Sequence, residues 1–164
     1  MRNIAIAILV VVMASIVIEP LVEFANVFRE KVTVSSAVSN ALRAARDRSL
    51  EDELMRDLDA RVDEDRFKAY FAEAFGDALH LRVSGSSGDE VTFRSEKERF
   101  HPFTVRFEFD ESTDSRNRIV TRVHVRAESK YLYKTKYLKL AEAAGSPGDY
   151  KLVSERTYLL SVRN

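Results

Sequence analysis

The sequence predicts an α+β protein: a long N-terminal membrane-anchoring helix and helical stalk, followed by a small antiparallel sheet domain. Three observations predict it. Residues 3–18 carry no charge over 16 positions. From 21 to 78 the apolar residues recur at helical spacing, and after about Leu79 the period switches to two. Charge follows the same division. Residues 1–78 hold 10 basic and 14 acidic side chains, residues 79–164 hold 16 and 12, so the zero net charge of the 164-residue chain joins a −4 half to a +4 half.

The first element is the stretch IAIAILVVVMASIVI, Ile4 to Ile18. Sixteen helical residues span about 24 Å against a hydrocarbon core of about 30 Å, so a crossing must also use Glu19, Pro20, Leu21 and Val22. Three readings compete. A non-cleaved signal anchor fits an apolar pattern that continues through Phe24, Val27 and Phe28, past any short signal-peptide core. A cleaved signal peptide has Arg2 and a small-residue site at Val12-Met13-Ala14, but would leave the greasy stretch IVIEPLVEF just behind a new N-terminus at Ser15. A buried core helix is disfavoured because the stretch is apolar all round. The anchor is the preferred reading: a single pass through the cell membrane, N-terminus cytoplasmic and C-terminal part extracytoplasmic.

Residues 21–46 continue as helix. Pro20 sits either in a first helical turn or within one continuous kinked helix. The small residues between Ser35 and Ala45 make a slender surface, suited to close approach by another helix or to packing on the chain's own domain. We take 1–46 as transmembrane helix and stalk, and 47–164 as the extracytoplasmic helix plus sheet. Ser49-Leu50-Glu51-Asp52 resembles a capping box for a second helix. Leu50, Leu54, Leu58 and Val62 recur every four residues, and Phe67, Tyr70, Phe71 and Phe75 extend the stripe. Gly76 is expected to weaken or end that helix.

The strand half opens with a hairpin, His80–Val83 and Glu90–Phe93 around a GSSGD turn. Phe103, Val105, Phe107 and Phe109 then alternate with Thr104, Arg106, Glu108 and Asp110. In the next strand Thr121, Val123, Val125 and Ala127 share one face, with Arg118, Arg122, Arg126 and Lys130 on the other. A last strand runs from about Tyr150 to Val162. Its apolar face and the others are expected to pack on the Phe67–Phe75 stripe.

Chemistry-bearing patterns are few. With no Cys there is no disulfide, zinc ribbon or thiol nucleophile. His80, His101 and His124 have no metal-ligand spacing, so neither metal nor cofactor is expected, no small-molecule substrate is indicated, and the reading is non-enzymatic. Two features remain. Glu19 and Glu23, one turn apart beside Phe24, either mark the membrane interface or pair with a basic group of another subunit. The row Arg118, Arg122, Arg126 and Lys130 either forms cross-strand ion pairs or holds an anionic polymer or nucleic acid.

Three of these features together resemble TadE-like proteins, the minor pilin-like components of tight-adherence pili and related secretion systems. They are the apolar helix running into Glu23-Phe24, the small-residue segment SAVSNALRAAR, and a β module with Tyr131-Leu132-Tyr133-Lys134 and an end near Ser161-Val162-Arg163. Thr135 stands where the family has Pro, and no Gly precedes the apolar run. The resemblance implies a pilin-like subunit: a helix in the membrane or a filament core, a displayed sheet domain, and assembly with itself or other pilin-like subunits. The alternative expectation is a membrane-anchored extracytoplasmic module that binds an anionic polymer or nucleic acid through its basic strand face.

Overall fold

In the computed structural model, which describes residues 2–49, 62–97, 99–113, 119–145 and 150–160, helix α1 runs unbroken from Arg2 to Ser49. At 1.5 Å per residue its 48 residues extend about 72 Å. Pro20 lies inside it, so stalk and anchor are one rod rather than a hairpin. Helix α2 spans Glu64–Leu79. The described residues then form strands β1 (Leu81–Ser87), β2 (Glu90–Ser95), β3 (Phe103–Thr113), β4 (Ile119–Lys130) and β5 (Lys151–Leu160), with a short helix α3 (Lys136–Ala143) before β5. The predicted α+β architecture is what the chain adopts: apolar helix, second helix, antiparallel sheet.

The proposed capping box and Leu50, Leu54 and Leu58 lie outside the described residues, apart from Ser49 at the end of α1. The cap of α2 is Asp63, whose carboxylate accepts from the Asp65 and Arg66 amides at 3.1 Å. At the other end His80 adopts a left-handed conformation, φ 55°, and its N–H returns to the Gly76 carbonyl. Gly76 therefore does not end the helix. A Cβ there would stand 2.9 Å from the Leu81 carbonyl oxygen, so the glycine lets β1 leave directly against the last turn of α2.

The five strands form one antiparallel sheet in the order β1-β2-β3-β4-β5. The first hairpin is longer than expected. β1 continues through Gly85 and Ser86 to Ser87, so the turn shrinks to Gly88 and Asp89, with Gly88 at φ 58°. A register shift between Val83 and Gly85 accommodates the extension, held by the Ser84 hydroxyl on the Thr92 carbonyl.

One face of the sheet is apolar and carries α1 and α2. Phe71 meets Phe107 edge-on at 5.1 Å, Phe75 meets Phe93 and Phe103, and Phe67 meets Phe109. From α1, Val34, Val38 and Leu42 are fully buried, with Ala37, Ala41 and Ala45 between them. These alanines recur every four residues on one side of the helix, and their size lets the phenylalanine layer approach the helix backbone. The small-residue segment thus packs on its own domain. The division at 46/47 falls inside this shared core, since α1 residues 34–45 and the sheet bury one another.

Candidate membrane anchor and polar latch

The first twenty residues of α1 stand clear of this core. Ile4, Ile6, Leu9, Val11, Ile16, Val17 and Leu21 are all more than half exposed. Residues 3–22 span about 30 Å, the thickness of a bilayer core. The helix is thus long and apolar enough to cross a membrane.

Where the apolar stretch ends, the face of α1 turned toward the domain becomes polar and buried. Glu23 and Glu30 lie seven residues apart, two turns on one side of the helix, and are only 3% and 2% exposed. Beyond them the same side becomes the Val34–Ala45 apolar face. The segment 131–135, between β4 and α3, is folded over these two acids. The Tyr131 hydroxyl donates to Glu23 Oε1 at 2.6 Å, the Lys134 amide to the same oxygen at 3.0 Å, and the Thr135 amide to Oε2 at 2.8 Å. The Lys134 ammonium pairs with Glu30.

Burial alone would raise the Glu23 pKa. The bonds from Tyr131, Lys134 and Thr135 outweigh it and hold the carboxyl below the usual carboxylate value. Tyr131 itself is fully buried; burial and the neighbouring carboxylate push its phenol well above the ordinary range. Its ring also packs edge-on against Tyr133 and Tyr150, and its amide donates to the Tyr150 carbonyl at 2.8 Å. The latch therefore ties the exit point of α1 to both β4 and the start of β5.

Of the interface residues expected from sequence, Glu23 is engaged within the chain, not offered to another subunit. Glu19 is half-buried one turn before it, while Phe24 is 71% exposed on another side of the helix. Lys134, four residues beyond Lys130, lies on the latch segment and not on the basic strand face. The Tyr-x-Tyr-Lys element and the seven-residue spacing of Glu23 and Glu30 were the two halves of the signal.

The other expected surface lies on the open face of the sheet. Arg122, Arg126 and Lys130 do share it, with Arg118 outside the described residues. Acids are interleaved with them. Arg126 bridges Glu128 at 3.3 Å and Glu155 at 2.8 Å, Lys151 binds Glu128 at 2.6 Å, and Lys130 binds Glu142 at 3.1 Å. Arg106 pairs with Glu90, and Arg122 sits opposite Asp110 in the register. Lys151, with help from Arg126, holds the Glu128 carboxyl below its usual pKa. A shallow concavity of about 720 Å³ follows this face, lined by both signs of charge. The arrangement is that of a solvated ion-pair lattice.

Fold and site together define a class: a single apolar N-terminal helix that carries an α+β head and is locked to it where the apolar stretch ends. Comparison with protein-family models, with curated proteins and with solved structures finds no match for this chain.

Proposed function

We propose that the chain is a single-pass membrane protein of the pilin-like, TadE-like kind, a structural or assembly component of a bacterial pilus or secretion apparatus. The observation that carries the reading is the unbroken α1, uncharged over residues 3–18, with its large apolar side chains exposed as far as Val22, and built into the head from Glu23 onward. A flexible linker would let a head diffuse over the membrane. A rigid rod transmits position from the embedded helix to the displayed sheet, as a subunit of an assembly requires. The N-terminus lies in the cytoplasm and the head outside.

The competing reading, an anchored module for an anionic polymer, is weakened by the acids that neutralise the row of arginines and lysines. Intact mass of the protein from a bacterial membrane fraction, with protease shaving of whole cells, tests the proposal. A retained N-terminus with a shaved head is expected, and cross-linking through α1 should capture neighbouring subunits. A protein released from membranes after loss of Met1 to Ala14, or a lone cross-link-free monomer, would overturn it.

A further inference from the structure

We propose that α3 is a membrane-surface foot, whose exposed face rests on anionic phospholipid headgroups beside the point where α1 enters the bilayer. This rests on the membrane-anchored reading. The helix follows directly from the latch: Thr135, its N-cap, gives its amide to Glu23, the first residue after the apolar stretch. The N-terminus of α3 is therefore fixed at the level where a bilayer crossed by residues 3–22 would end.

Its two faces differ. Leu138, Ala141 and Glu142 are turned partly inward, and Glu142 is held by Lys130. Lys136, Lys139, Leu140 and Ala143, at spacings of three, four and seven, form the opposite exposed face, with Leu140 57% exposed. Two ammonium groups flanking an exposed leucine suit an interface, with the apolar group dipping inward and the cations meeting phosphate. α1 continues the pattern at the same level. Phe24 and Phe28 are 71% and 63% exposed, and Arg29 and Lys31 are exposed just beyond. Three acids of α1 lie at this level: Glu23 is held by the latch, Glu30 by Lys134, and Glu19 is half-buried, against the four exposed cations Lys136, Lys139, Arg29 and Lys31. The remaining cations thus face solvent with a net positive charge, complementary to an anionic leaflet.

The chain has no Cys, so single engineered thiols report unambiguously. Full-length Leu140→Cys, Asp47→Cys and Met13→Cys proteins are labelled with an environment-sensitive fluorophore and reconstituted into vesicles of phosphatidylcholine with or without phosphatidylglycerol. Nitroxide lipids placed at headgroup or acyl depth act as quenchers. Asp47 lies about 36 Å further along α1 than Glu23 and serves as the water control. Headgroup-level quenching at position 140 should be strong, absent at 47, and dependent on phosphatidylglycerol. Lys136→Glu with Lys139→Glu should reduce it, each lysine near an anionic surface being worth about fivefold in occupancy.

Quenching at 13 without quenching at 140 overturns the foot while leaving the anchor intact. Shielding of position 140 that rises with protein density instead of lipid charge assigns the face to a protein partner and overturns it equally. Quenching indifferent to phosphatidylglycerol rejects headgroup recognition. Absence of quenching at 13 defeats the anchored reading itself.

Discussion

Glu23 and Tyr131 are 108 positions apart in sequence and 2.6 Å apart in space. Removing one donor to a buried carboxylate sacrifices a charge-assisted bond, so Tyr131→Phe should destabilise the detergent-solubilised protein by about 1.5–3 kcal/mol. Glu128→Gln, on the solvated sheet face, should cost under about 1 kcal/mol although it breaks bonds to Arg126 and Lys151. Paired denaturant titrations compare the two. Acid provides a separate check on the latch. The folded Glu23 pKa lies below its ordinary value of 4.5, so in that interval the unfolded chain binds more protons than the folded one. Its contribution is complete above the ordinary value and fades as pH falls through the folded one. The stability gap between the parent and Glu23→Gln should be constant from about pH 7 to pH 5 and narrow toward about pH 3. A gap that stays flat across that range would remove the carboxylate from the latch.

The elements differ in how openly the sequence announces them. Phe103–Phe109 and Val123–Ala127 alternate cleanly because one sheet face is covered by helices and the other by water, and the strands follow that alternation. The phenylalanine stripe of α2 is equally plain, since Phe67, Phe71 and Phe75 recur every helical turn and are all buried. What periodicity cannot show is partnership between distant segments. The latch joins a helix to a five-residue irregular stretch, and no local pattern specifies that Tyr131 and Lys134 should fold over Glu23 and Glu30. The first hairpin hides its length for a related reason: a glycine-rich stretch predicts a turn, whereas Gly85 sits in a strand at a register shift. Gly76 shows the opposite case, a glycine required by a neighbour. Gly76→Ala should gain about 1 kcal/mol of helix propensity. It should lose about 1–3 kcal/mol of packing, because the Leu81 carbonyl must move. A net loss in thermal stability is expected, and a net gain would show that the α2–β1 junction yields freely. Thr135→Pro, the residue the resembled family carries there, removes the amide that Glu23 accepts and should destabilise the latch in the same assay.

At the scale of the whole molecule, one helix belongs to two environments, and the transition falls between Val22 and Glu23. The buried contacts between α1 and the head among the described residues lie from Glu23 onward: the latch and the Val34–Ala45 face, joined by the polar ties from Arg43 to Tyr158 and from Arg156 to Ser35. A fragment beginning at Glu23 should therefore be soluble and unfold cooperatively, because apart from the half-buried Glu19 it loses side chains that stand clear of the head. A fragment beginning at Asp47 retains α2 and the sheet but strips Val34, Val38 and Leu42 from the phenylalanine layer. Each such side chain is worth about 1.5–3 kcal/mol when buried. Together with the alanines and the latch, their loss approaches the whole stability of a typical domain, about 5–15 kcal/mol. The shorter fragment should bind a hydrophobic dye, lose its near-ultraviolet aromatic signal or aggregate. If it instead unfolded as sharply as the longer one, α1 would be a detachable stalk, and the rigid coupling between membrane and head on which the functional proposal rests would fail with it.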